Sequence, residues 1–235
     1  GTSPDYTPTS EFFNVGPILS LTFEDANAIG SVTLPIVENS GDPMSFSIDW
    51  GDGVIDSSLT HDYGSFAGPF TAVFTITGGS VTQFGGNGWS GADKLTAVST
   101  TANTIWGLPG ITSFEYAFNN ASKLISVPTR IPSSVTNMSY MFSGASVFNQ
   151  SIVNWDVSNI INMQDMFNNA FAFNQYIGDW NVSNVTNMQG IFYGASVFDQ
   201  NIGSWDVSSV NNMQDMFNNA FEFNQYIGDW NVSNV

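Results

Sequence analysis

The chain has 235 residues, 42% hydrophobic and only 10% charged, with 20 acids, three bases and no cysteine; that is material for one large or two ordinary domains with a polar surface built mainly from Asn, Ser, Thr, Gln and Gly. A formal charge of -17 repels phosphate backbones and anionic membranes and argues against nucleic-acid partners. Absent thiols rule out disulfides, thiolate catalysis and cysteine metal sites, and no apolar run reaches the roughly 18–20 residues of a membrane span.

Residues 1–16, with the Pro, Thr and Ser character of GTSPDYTPTS, read as an extended N-terminal segment. Residues 17–80 read as a small β-sandwich. LSLTF, IGSVTLPIV, MSFSIDW and FTAVFTITG are short, rich in β-branched and aromatic residues, and separated by Gly, Asp and Pro. Met44, Phe46, Ile48 and Trp50 keep the period of two expected of a half-buried strand. Asp49-Trp50-Gly51-Asp52-Gly53 then supplies a hairpin-type turn. The order of strand, WGDG turn, His61-Asp62-Tyr63 and FTAVFTITG resembles the polycystin-type (PKD) β-sandwich of extracellular proteins, except that its usual YTV strand start is replaced by Phe70-Thr71-Ala72-Val73.

Residues 81–130 read as a Gly-rich junction followed by an N-terminal cap of a repeat array. Phe118 already stands 24 residues before Phe142, and terminal units of an array are usually atypical. From 131 to 235 a 25-residue step runs without insertion: Trp155, Trp180, Trp205 and Trp230 keep it, as do Phe148, Phe173, Phe198 and Phe223. A period of this size means stacked units, each too small to bury its own apolar face. Within one unit, Met163, Met166, Phe167 and Ala170 fall at i, i+3, i+4 and i+7, the stripe of a short helix with Asn162 as its N-cap. Phe173, Ile177, Trp180 and Val182 follow as extended chain around the same core, so that the Phe and Trp positions are expected to stack as structural ladders. A period of 50 is superimposed, since Met166–Val185 and Met216–Val235 differ only at Ala172 versus Glu222. NVSNV stops in mid-coil, at the place equivalent to Val185; the repeats are expected to continue past Val235 or to be completed by another molecule.

These repeats resemble those of the BspA-like leucine-rich-repeat surface proteins of bacteria, which carry MF..A..FNQ.I..WDVSNVTNM. Here the motif reads Met141-Phe142, Ala145, Phe148-Asn149-Gln150, Ile152 and Trp155-Asp156-Val157-Ser158-Asn159, with SNVTNM clearest at Ser183 to Met188. The fold expected from residues and resemblance together is mixed and mainly β. It comprises a PKD- or immunoglobulin-like sandwich, then a leucine-rich-repeat-like solenoid with one short helix and one strand per 25-residue coil. The resemblance implies a secreted, cell-surface location and adhesion or matrix contacts, with no chemistry to carry over.

Candidate sites are few. A nucleophile and an oriented base would have to accompany the single histidine, His61, and no nucleophile-elbow pattern does. Asp49, Asp52 and Asp56 are the calcium candidates, because hard cations want several oxygens at close range; turn formation by Asp and Gly accounts for the same residues. The carboxylate pairs Asp165/Asp215 and Asp179/Asp229 follow from the duplication. The chain is therefore expected to be no enzyme and to need no cofactor. Expected partners are proteins: a second copy of the chain in a homo-oligomer or filament, or a host or cell-surface component. The alternative is a monomeric glycan- or protein-binding adhesin module.

Overall fold

The structure is a computed structural model of the chain. It describes residues 18–24, 30–64, 68–100 and 106–235; the N-terminal segment 1–16 lies outside them. The described chain is mainly β, with antiparallel sheets and a single 3-10 turn at Ala92–Lys94 as its only helical element.

Alternation builds the first domain. In β1 (Ile18–Phe23) Leu19, Leu21 and Phe23 are buried, and in β7 (Phe70–Gly78) so are Phe70, Ala72, Phe74 and Ile76. The two strands pair antiparallel with Leu21 opposite Ala72 and Leu19 opposite Phe74, which puts both apolar sets on one face. The run IGSVTLPIV, which reads as one strand, is split by Pro35 into β2 (Ser31–Thr33) and β3 (Ile36–Glu38). Proline has no N–H for a ladder, and the chain uses the break to change partners. β2 pairs with β6 (Thr60–Asp62) and β3 with β8 (Val81–Phe84). The main sheet has the order β5-β4-β7-β1-β9, where β4 is Ser45–Asp49, β5 Ile55–Asp56 and β9 Leu95–Thr100. β8 and β9, both within the stretch read as junction, thus belong to the sheets.

The same two strands start the repeat stack. Gln83 in β8 makes a parallel bridge to Ser113, and the bridges continue through Asn137, Asn162, Asn187 and Asn212; Ala97 in β9 bridges Ser126 in the same sense. Phe84 lies 6.1 Å from Phe118, which lies 5.5 Å from Phe142. Sandwich and stack therefore share one continuous apolar core.

The coils, here A (138–162), B (163–187), C (188–212) and D (213–235), contain neither the helix nor the strand expected of them. Met163, Met166, Phe167 and Ala170 are all fully buried, but the backbone that carries them is a series of tight turns. Met166 N–H donates to Met163 O, Asn168 N–H to Asp165 O and Ala170 N–H to Phe167 O, all i to i−3. Asp165 and Asn169 sit in the left-handed region at φ 51 and 54, which no α-helix tolerates. Asn162 caps an Asx turn, its Oδ1 accepting from the Gln164 N–H at 3.0 Å. The outward N–H groups of Met163, Asp165, Phe167 and Asn169 donate to carbonyls of coil C at Asn187, Gln189, Ile191 and Tyr193. Strand pairing shrinks to one bridged residue per coil because the chain turns again straight after it.

Candidate interaction surface

The turn after β4 brings together four residues that the sequence spreads over 14 positions, from Trp50 to Tyr63. His61 stacks on Trp50 with ring centroids 5.0 Å apart and meets Tyr63 edge-on at 4.6 Å. Its Nε2 lies 2.7 Å from Asp52 Oδ2, and both side chains are about nine-tenths buried. Tyr63 Oη donates to the Trp50 carbonyl at 3.0 Å. Burial pushes the Tyr63 phenol far above its ordinary range, and the carboxylates of Asp52 and Asp49 act in the same direction. Burial also opposes ionisation of Asp52, yet hydrogen bonds from His61 and the Val54 N–H outweigh it and hold this carboxyl below its ordinary value.

Each calcium candidate is engaged in turn geometry. Asp49 Oδ1 accepts from the Gly51 N–H, Asp52 Oδ1 from the Val54 N–H, and Asp56 Oδ1 from the Ser58 N–H and the Trp50 indole. Among the described residues no three acidic or histidine side chains converge on a point that would hold a metal ion. No serine, cysteine or threonine is hydrogen-bonded to His61, so the arrangement locks a turn and offers no proton relay to a nucleophile.

In the coils, Trp155, Trp180 and Trp205 are buried and Trp230 half-buried. Each indole donates backwards to a carbonyl: Pro128 at 3.1 Å, Ile152 at 3.4 Å, Ile177 at 3.1 Å and Ile202 at 3.2 Å. Phe148, Phe173, Phe198 and Phe223 stack with centroids 6.0–6.1 Å apart. A second ladder of Phe118, Phe142, Phe167, Phe192 and Phe217 runs beside it at 5.5–5.9 Å; sequence reading missed it, though the same 25-residue step marks it. Polar clamps repeat on the surface. Asn149 Oδ1 accepts from Asn174 N–H and Gln175 Nε2, Asn174 Oδ1 from Asp199 N–H and Gln200 Nε2, and Asp199 Oδ1 from Asn224 N–H and Gln225 Nε2.

One face carries a groove. Three adjoining depressions of about 300, 540 and 550 Å³ share Pro132, Ser133 and Ser134 as walls. Arg130 and Asp156 stand at one part, Asn159, Ile161, Asn184 and Thr186 at another, and Trp106 at the head. The wall is held by Asn159 Nδ2 on Ser133 O at 2.9 Å and Asn184 Nδ2 on Ser158 O at 2.7 Å. Ile161 is about half exposed beside them. Of the three bases, Lys94 lies near Asp93 and Lys123 near Glu24, while Arg130 has no carboxylate within 4.0 Å among the described residues. The Ser158 hydroxyl and N–H hold Asp156 below its ordinary value. Such a surface offers amide and hydroxyl hydrogen bonds, one cation and a small apolar floor, the donor and acceptor set that suits a neutral polar polymer. Elsewhere Phe171 and Tyr176 are about half exposed, and Tyr176 Oη donates to Asp179 at 2.8 Å. No helix among the described residues is long and apolar enough to cross a membrane.

Residues 93–181 and 173–235 each match the family described as Mycoplasma protein of unknown function, DUF285. No curated protein and no solved structure matches.

Proposed function

The chain belongs to the DUF285 family, and from that footing we propose that it is an extracellular structural or adhesive surface protein working through repeated coil surfaces, without catalysis. Its repeats are read as a BspA-like, leucine-rich-repeat-type solenoid and its first domain as a PKD-like sandwich. The observation that carries this reading is regularity: each coil step repeats the same clamp from Asn149 through Asn174 and Asp199 to Gln225, with no loop inserted to house a special site. Equivalent surfaces repeated along a stiff axis make many identical contacts, so that individually small affinities multiply when several engage together. A heterologous contact between such copies that does not close on itself yields a filament or layer.

The second reading, a monomeric glycan- or protein-binding adhesin module, is favoured by the groove beside Arg130, Asn159, Ile161 and Asn184. Electron microscopy of the purified chain over a range of concentrations, with a glycan and protein array run in parallel, separates the two. Filaments or sheets support the assembling protein. Isolated particles at every concentration with one saturable ligand, lost in an Asn159→Ala/Asn184→Ala variant, support the adhesin. A turnover activity abolished by replacing a single repeat acid overturns both, and failure of protease to reach the protein on intact cells overturns the surface location.

A further inference from the structure

The superimposed 50-residue period has a steric cause. At the second left-handed position of each coil the residues are Asn120, Gly144, Asn169, Gly194 and Asn219, with φ of 60, 74, 54, 66 and 59. At the first such position the last three coils carry Asp165, Gly190 and Asp215. Either residue type tolerates the backbone, so conformation alone does not demand the alternation. Packing does. A Cβ on Gly194 would stand 2.3 Å from Asn169 Oδ1, one on Gly190 2.2 Å from Asp165 Oδ1, and one on Gly144 2.5 Å from Asn120 Oδ1. The polar side chains of one coil lie directly over the bare glycines of the next.

Those side chains are tied in place. On coil B, Asn168 Nδ2 donates to Asp165 Oδ1 at 2.7 Å, Asn169 Nδ2 to Asn168 Oδ1 at 2.8 Å and Gln164 Nε2 to Asp165 Oδ2 at 3.3 Å. Turning Asp165 or Asn169 aside to admit a larger neighbour breaks this network. Coil D repeats it, with Asn218 Nδ2 on Asp215 Oδ1 at 3.0 Å and Gln214 Nε2 on Asp215 Oδ2 at 3.4 Å.

From this we infer that the Asn/Asp–Gly alternation is a pairing code between coils, and that the outer face of coil D is an interaction surface for a repeat coil with glycine at both left-handed positions. What that face takes is shown inside the same molecule. Coils B and D are identical from position 166 or 216 onward except at Ala172 versus Glu222, and the B face is covered by coil C, whose glycines are Gly190 and Gly194. On coil D the donors equivalent to those that bind coil C, the N–H groups of Met213, Asp215, Phe217 and Asn219, meet no backbone carbonyl among the described residues. Phe217, Phe223, Ile227 and Trp230 are only partly buried there, so the face offers both apolar area and an ordered row of donors. A coil of the Asn/Asp type meets the same face oxygen against Cβ and is rejected, which is specificity by built-in clash.

The test adds a separate peptide spanning residues 186–212 to the full chain and follows fluorescence anisotropy of a labelled copy. Saturable binding is expected, at least about tenfold weaker for the peptide carrying Gly190→Asp and Gly194→Asn, from the usual cost of overpacking. A chain with Asp215→Gly and Asn219→Gly, changes that left-handed backbone accepts, is expected to bind the substituted peptide within about threefold of the original pair. Absence of saturable binding, equal binding of both peptides by the unaltered chain, or failure of the glycine chain to recover the substituted peptide overturns the code. A dimer of the unaltered chain in sedimentation, dissolved by Asp215→Lys, assigns the face to a second copy and overturns the inference as well.

Discussion

Replacing Phe173 and Phe223 by alanine, one at a time, separates the contribution of stacking from that of sequence. The two residues occupy the same place in nearly identical coils. Phe173 is fully buried, with Phe148 and Phe198 each 6.1 Å away on either side and Phe167 at 4.0 Å. Phe223 is partly buried, with Phe198 at 6.0 Å on one side and Phe217 at 4.1 Å. Removing a fully buried Phe ring costs about 3–5 kcal/mol, transfer plus cavity. For a half-buried ring the transfer share falls to about 1–2 kcal/mol, and the space left opens to water instead of remaining a void. The expected difference is about 2–3 kcal/mol in urea midpoints at constant slope. Hydrogen exchange resolves where the loss falls: Phe173→Ala lies between neighbours and uncouples coils C and D from the sandwich, whereas Phe223→Ala frays coil D alone. Equal midpoint shifts, or uniform loss of protection in both variants, would refute the stacked arrangement.

Acid should loosen the coils unequally. Hydrogen bonds from Gln225 and the Asn224 N–H hold Asp199 below its ordinary 3.8, burial opposing weakly, while Asn149 and Asn174 fill the same role without a titrating group. A depressed folded value contributes stability above the unfolded value and loses it as pH falls through the folded one. Protection of coil D is therefore expected to drop below about pH 4, and Asp199→Asn to abolish that step; persistence of the step in the variant counts against the assignment. In the sandwich, Gly51 has φ 79 and a Cβ there would stand 2.8 Å from Thr71 O, so Gly51→Ala is expected to cost about 2–4 kcal/mol in thermal unfolding, and a neutral result would contradict the close approach. Millimolar Ca²⁺ is expected to shift the melting temperatures of the wild type and an Asp49→Asn/Asp52→Asn variant alike, by screening; a rise absent with Mg²⁺ and lost in the variant would show that the turn carboxylates bind calcium.

The sequence alone determined the class and the step. Short alternating runs such as MSFSIDW and FTAVFTITG can bury only one face, which makes the first domain β; and the Trp155-to-Trp230 spacing makes the rest a stack of equivalent units. The Asn–Gly alternation at 120, 144, 169, 194 and 219 was also present in the letters, but its meaning needs two coils face to face, because the clash it avoids lies between residues 25 apart. Backbone path was not legible. Apolar residues at Met163, Met166, Phe167 and Ala170 satisfy a helix stripe and a series of tight turns equally well, since both return the chain to one side every three to four residues. The choice was made by partners outside the segment: outward N–H groups that bind coil C would, in a helix, be spent within the coil. The role of β8 and β9 in capping the stack was hidden for the same reason, Gln83 meeting Ser113 and Ala97 meeting Ser126 across 30 and 29 residues of non-repeating chain. Periodicity reports what each residue's side chain needs, and only the tertiary structure supplies the neighbour that its backbone binds.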